Sequence, residues 1–326
     1  MRLVSSLIRI DFPFSMTFRG LLLWLHLILG LTGAIVIAIA SATGAWIVVQ
    51  VPLEQLLIPV PEASGVAVTA GVPAIIGLLE QQYAPRRVTS VALDSGRAIV
   101  ATLNDRSRAF VDPANGSVIR FRQLNTISFE NFSAVMRRLH VNLFLGQRGR
   151  LIVTVATAEA LLLALTGLWL WWRKKHWKFT RWRGSVYRVS WDLHNASGLW
   201  FLVPALSMTI TGLLLFFPGP VYRLAGDQPT PYRAAPANAV AVISASDTTY
   251  LNRSTADVVE LRPKREGNRA DRALAAVEQL HTGELFGATG MTIMACGSAM
   301  LAVMTVTGVV LGWKRILILA HKRADD

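Results

Sequence analysis

The chain has 326 residues, 52% of them apolar and only 16% charged, with a mean hydropathy of +0.42; soluble domains carry about 25% charged residues, so disorder and an ordinary soluble enzyme are both excluded. Its formal charge is +13, but the basic residues flank apolar runs, which points to a membrane and away from nucleic acid. The single cysteine, Cys296, excludes a disulfide framework, a CxxC redox pair, a CxxCH haem attachment and a cysteine-ligated cluster.

Residues 1–51 hold the N-terminus and a first apolar span from Gly20 to about Val51. At about 30 residues it is too long for a signal peptide, despite Ala40-Ser41-Ala42 as a candidate cleavage site. Residues 52–138 form a long loop. In it Pro73–Tyr83 reads as a short amphipathic helix, and Val88–Leu93, Arg97–Leu103, Arg108–Val111 and Val118–Phe121 read as strands between turn residues. Residues 139–172 form the second span with an extension. Read as one helix from His140 to Trp172, it is about 48 Å long at 1.5 Å per residue, more than the roughly 30 Å hydrocarbon core. A basic loop, 173–190, leads to the third span at 191–217. Residues 218–280, rich in Pro, Ala, Arg and Asp, read as partly irregular, and the fourth span, 281–313, precedes a tail at 314–326. The expected fold is an all-α four-helix membrane bundle, made of a duplicated two-helix unit, with a small α+β module outside the membrane.

Short loops rich in Lys and Arg stay on the cytoplasmic side. Segments 1–20, 173–190 and 314–326 hold five of the six lysines, so both termini are expected in the cytoplasm and both long loops are expected to be exported. Trp177 and Trp182 in the basic loop fit an anionic-lipid anchor. His176 and His321, in basic segments without repeat partners, read as solvated.

An internal repeat decides the rest. In span 1, Leu25-His26 is followed by Gly30-Leu31 and Thr43-Gly44; in span 3, Leu193-His194 is followed by Gly198-Leu199 and Thr211-Gly212, at the same offsets. Leu139-His140 leads to Gly146, Thr166-Gly167 and Trp172, and Leu280-His281 leads to Gly287, Thr307-Gly308 and Trp313, again at matched offsets. The halves are parallel repeats, so the histidines are expected in two like pairs, His26 with His194 and His140 with His281, one pair on each side of the membrane. Two imidazoles facing each other across a helical bundle suit a b-type haem with two axial histidines. Gly44, Gly212, Gly167 and Gly308 either let the flat ring approach the backbone or serve close helix packing. With the long second helix, the two centres are expected roughly 25–30 Å apart.

The Leu-His openings, the Thr-Gly pairs and the Asp112-Pro113…Gly116 turn resemble the PepSY-associated transmembrane family of bacterial inner-membrane proteins, over nearly the whole chain. The long first loop is then a PepSY-like periplasmic module. The resemblance implies two bis-histidine b haems, ligated by His26, His194, His140 and His281, and a role in iron acquisition as a reductase of periplasmic ferric siderophores. Some relatives carry a C-terminal flavin and NADPH domain. No GxGxxG follows a strand here, so the electron donor is expected to be a quinol or a cytoplasmic flavoprotein. Two alternatives stand beside it: a non-catalytic membrane regulator whose module binds a protein partner, and a transport accessory for iron complexes.

Three further features belong to this reading. Glu159 lies well inside span 2, where its repeat counterpart is Met300; it could relay protons, tune a haem, or bond a Ser or Thr of a neighbouring helix. Arg148 and Arg150, with Arg137 and Arg138, bracket His140 and could meet haem propionates, an anionic chelate or lipid headgroups. Cys296 reads as a small core residue.

Overall fold

The computed structural model describes residues 17–57, 71–93, 98–123, 131–173, 184–229, 234–244, 247–263 and 268–325. Helices α1 (Phe18–Thr32), α2 (Ala34–Leu57) and α3 (Val72–Gln82) precede strands β1 (Val88–Ala92), β2 (Ile99–Leu103), β3 (Arg108–Val111) and β4 (Val118–Arg122). Then come α4 (Phe132–Asn142), α5 (Gly146–Trp172), α6 (Val186–Trp200), α7 (Leu202–Phe216) and α8 (Gly219–Ala225). Strands β5 (Ala239–Ile243), β6 (Asp247–Asn252) and β7 (Val258–Pro263), then α9 (Arg269–Thr282) and α10 (Gly287–Asp325), complete the chain. They fall into a helical unit (Met1–Val48, Leu139–Phe217, Val277–Asp326) and a sheet unit (Val49–Arg138, Pro218–Ala276).

The expected all-α four-helix bundle is therefore wrong. Ten helices and a seven-stranded mixed sheet are present among the described residues. Among the described residues, only two uninterrupted helical stretches, Gly146–Trp172 and Glu284–Ile318, are long and apolar enough to cross a membrane. The other two expected spans are each a broken pair, Phe18–Thr32 with Ala34–Gln50 bent by 66° and Val186–Trp200 with Leu202–Phe216 bent by 68°.

Each break has a local cause. At the first, Gly33 leaves room that a Cβ would deny: the Glu159 carboxylate and the Ile37 side chain occupy that space. Thr32 Oγ1 lies 3.1 Å from Glu159 Oε1 and 2.9 Å from the Ile28 carbonyl. At the second, Pro204 has no N–H to give to the carbonyl four residues back, at Trp200, and Phe201 caps the end of α6.

The single helix expected from His140 to Trp172 is also absent. Helix α4 ends at Asn142, and a tight elbow with Leu143, Phe144 and Gly146 at positive φ (51°, 60° and 59°) turns the chain into α5. The second half repeats the device: α9 ends at Thr282, Gly283 (φ 85°) and Gly287 (φ 61°) take left-handed backbone, and α10 begins. Glycine adopts such angles without steric cost. Gly149 and Gly290, at matched positions one turn further on, let the elbow backbone lie directly against the first turn of the long helix. A Cβ there would collide with the carbonyls of Asn142 and Gly283, respectively.

In the sheet unit the strand order is β4-β3-β2-β1-β5-β6-β7. The first long loop supplies one antiparallel meander and the second, expected to be partly irregular, supplies another. They join through a parallel β1–β5 pair in which Ser90 faces Ala241. Alternation in β2 turns Ile99, Ala101 and Leu103 inward. There they meet Ile75 and Leu79 of α3, with Val88, Val91, Val111 and Val240, in one core. Arg253, after β6, bonds the Glu80 carboxylate of α3 and donates to the Val88 carbonyl at 2.7 Å, so a side chain of the second loop fastens the first.

Candidate cofactor-binding site

Four histidines of the helical unit stand in two pairs. The rings of His26 (α1) and His194 (α6) have centroids 6.2 Å apart and planes at 86°. Those of His140 (α4) and His281 (α9) have centroids 6.3 Å apart and planes at 58°. Two imidazoles bound trans to one metal, with bonds of about 2 Å and about 1.1 Å from ring nitrogen to ring centre, place their centroids ~6.2 Å apart. Both pairs have that spacing.

Each ring is held through Nδ1. His26 Nδ1 is 2.9 Å from Thr166 Oγ1, and His281 Nδ1 is 2.9 Å from Thr211 Oγ1. His140 Nδ1 meets the Ala40 carbonyl at 2.8 Å and Thr43 Oγ1 at 3.4 Å. His194 Nδ1 meets the Met304 carbonyl at 3.0 Å and Thr307 Oγ1 at 3.3 Å. The threonine hydroxyls spend their own protons on carbonyls one turn back, Thr166 on Leu162 at 2.7 Å and Thr211 on Ser207 at 2.5 Å. Toward the imidazoles they therefore accept, and the proton sits on Nδ1. Nε2 is then the unprotonated nitrogen, the form that ligates a metal.

The glycine of every Thr-Gly pair faces the same ring as its threonine. A Cβ on Gly44 would lie 3.1 Å from Cε1 of His140, one on Gly167 3.3 Å from Cε1 of His26, one on Gly212 3.4 Å from Cε1 of His281, and one on Gly308 3.1 Å from Cε1 of His194. These glycines make room for imidazoles. The ring-sized space lies elsewhere, in a cavity of about 490 Å³ around His26 and His194, reached by Gly30 and Gly198.

The two pairs sit at different levels along the long helices. On α5, Thr157 lies beside Gly212 at the His281 level, and Thr166 holds His26. On α10, Ser298 lies beside Gly44 at the His140 level, and Thr307 holds His194. Both intervals are nine residues, about 14 Å at 1.5 Å per residue. This replaces the expected 25–30 Å: the elbows fold His140 and His281 back against α2 and α7 instead of lifting them beyond the bundle.

Two trans imidazoles would leave the other positions of a six-coordinate metal to a second ligand set. Among the described residues no group of three or more His, Cys, Asp and Glu comes together. A planar macrocycle would supply that set; the spacing and tethering of both pairs, and at His26 and His194 a cavity within the usual range for small-molecule sites, are compatible with a haem. The description "PepSY-associated TM region" matches residues 23–315. The chain belongs to the PepSY-associated transmembrane family. No curated protein matches the chain.

In this PepSY-associated protein the remaining candidate residues stand apart from the pairs. Glu159 accepts from Thr32 at the break of span 1, and Met300 takes its place in the other half. It lies seven residues before Thr166, on the interval between the two imidazole levels. Arg150 places its guanidinium 4.9 Å from the Phe216 ring centre, and Arg148 is exposed. Cys296, expected in the core, is exposed on α10. His176, Trp177 and Trp182 lie outside the described residues, and so does the side chain of His321. Sequence reasoning missed the threonines as imidazole acceptors, though their pairing with glycine at matched offsets was the signal. It also missed Gly149 and Gly290, which share an offset from their histidines.

Proposed function

We propose that this protein is a bis-histidine di-haem carrier of the bacterial inner membrane that passes electrons outward to a periplasmic ferric siderophore. The observation that carries the reading is the pair of imidazole couples, each with Nδ1 fixed by a threonine or a carbonyl and each at the centroid spacing of a trans bis-imidazole complex. His26 and His194 would hold one haem b, and His140 and His281 the other. The haem iron, when bound, supplies reversible one-electron chemistry. The residues supply orientation: Thr166, Thr211, Thr43 and Thr307 set the tautomers, and the elbow glycines place the second pair about 14 Å from the first. Each electron, given by a quinol or a cytoplasmic flavoprotein, reduces one ferric ion, and the weaker ferrous complex lets its metal go. Both termini lie in the cytoplasm in this reading, and the sheet unit in the periplasm.

The test is the absorption spectrum of detergent-purified protein, oxidised and dithionite-reduced, with haem quantified per chain. Sharp reduced α and β bands, two haems per chain and re-oxidation by a ferric hydroxamate siderophore are expected. Protein without haem after expression with ample haem supply overturns the reading and favours a regulator. One haem per chain overturns the two-centre arrangement.

A further inference from the structure

We infer that Arg19 and Arg315 form a carboxylate clamp at one end of the His26/His194 cavity, and that it holds the propionates of the haem proposed above. The inference rests on that reading. The cavity is lined largely by leucines, glycines and aromatic side chains, and among the described residues its only formal charges are these two guanidiniums. No Asp or Glu among the described residues lines it. A largely apolar cavity with two cations among its lining side chains complements a flat, apolar molecule with two anionic arms.

The reach agrees. Arg19 lies seven residues before His26 on α1, and Arg315 lies seven residues after Gly308, which faces His194. Seven residues make two helical turns, so each arginine shares a face with its landmark about 10 Å away. That is roughly the distance from the centre of a b-type haem to its carboxylates. Both run toward the same end of the cavity, because the end of α10 returns alongside the start of α1: Arg315 places its guanidinium 5.7 Å from the Trp24 ring centre. Neither arginine has a carboxylate partner among the described residues. Arginine suits the task because its planar fork meets a carboxylate with two parallel bonds. Tyr187, the repeat counterpart of Arg19, is neutral and lies under the Lys314 ammonium, 4.0 Å from its ring centre. The second half therefore contributes its cation to this end from α10.

The test uses the full chain in detergent, with variants R19Q, R315Q, the double variant, both single Lys replacements and R173Q, whose arginine stacks on Trp169 and does not line the cavity. The readouts are haem per chain, haem transfer to apomyoglobin and a redox titration resolved into two components. Charge-assisted bonds of this kind imply roughly tenfold faster loss of one haem per guanidinium removed. The double variant is expected to lose one haem of two and to shift one component of the titration. The Lys variants are expected to fall between it and the parent, and R173Q to match the parent. A double variant that keeps both haems and both potentials overturns the clamp alone. Loss of both haems together also overturns it, since a clamp at one pair does not release the other. A parent with no haem overturns the clamp and the di-haem reading together.

Discussion

At the scale of single residues, the two histidines of one pair are not equally supported. His26 Nδ1 has Thr166 as its acceptor, at 2.9 Å, whereas His194 has both the Met304 carbonyl and Thr307. Replacing Thr166 by valine removes the side-chain oxygen that fixes the His26 tautomer and keeps the shape. The same change at Thr307 leaves the carbonyl in place. Outer partners of metal-bound histidines are worth about 10–100-fold in metal affinity. On the di-haem proposal, T166V is therefore expected to weaken haem retention by about that factor, and T307V by much less. Haem per chain after extended dialysis measures both, and equal losses would show that the hydroxyls do not set the tautomers. Glu159 belongs to the same scale. A carboxylate between the two imidazole levels, present in one half only, makes the electrical surroundings of the two halves unequal, although the histidines repeat.

At the scale of elements, the molecule depends on two elbows and two broken helices. The elbows are glycine devices whose failure is stereochemical. At Gly149 and Gly290 an added methyl meets backbone carbonyl oxygen, which has no rotamer to escape into. G149A and G290A are expected to destabilise the protein by about 2–4 kcal/mol and to detach His140 or His281 first, because each elbow directly follows its histidine. Gly77 on α3 supplies the opposite sign. Nothing lies within 4 Å of a Cβ built there, so G77A is expected to stabilise by about 0.5–1 kcal/mol. Thermal unfolding reads all three, and G149A or G290A at parental stability would mean that the elbow backbone is free to move. The matched offsets of Gly146 and Gly287 were legible in the sequence, but their meaning was not. A glycine at the head of an apolar run is read equally well as part of a continuous helix, and only the close backbone approach distinguishes an elbow. The breaks at Gly33 and Phe201 were hidden for a related reason, since hydropathy reports burial in lipid and is blind to direction.

At the scale of the whole molecule, local pattern was enough wherever partners are close in sequence. Helix α3 and strands β1–β4 fall within two residues of the expected elements because each meander turn joins neighbours. The pairing of His26 with His194 followed from the repeat, which carries long-range information that single residues lack. The shared sheet did not follow. Its central pair joins β1 to β5 across about 150 residues of chain, and nothing in a five-residue strand names so distant a partner. Strand β6, with Asp247, Thr248, Thr249 and Asn252, also lacks the apolar alternation that marks a strand.

The Arg253 clasp makes that non-local join testable. Its guanidinium bonds Glu80 and the Val88 carbonyl, while the Val88 N–H donates to Glu80 at 2.9 Å, so two groups of the first loop, themselves joined through Val88, bond one side chain of the second. The pair is largely buried, with side chains 16% and 25% exposed. Removing the cation leaves the Glu80 carboxylate without its charge partner, which costs about 2 kcal/mol for a pair between the surface and buried limits. R253M, which keeps the apolar stem, is expected to lower stability by that amount and to open α3 and β1 to proteolysis. R253K, with one compact ammonium where a fork spanned two acceptors, is expected to recover about half. The double variant R253M/E80Q relieves the stranded carboxylate and is expected to be more stable than R253M alone. If R253M resists protease at α3 as the parent does, the two meanders are held by the β1–β5 ladder alone and the clasp contributes nothing.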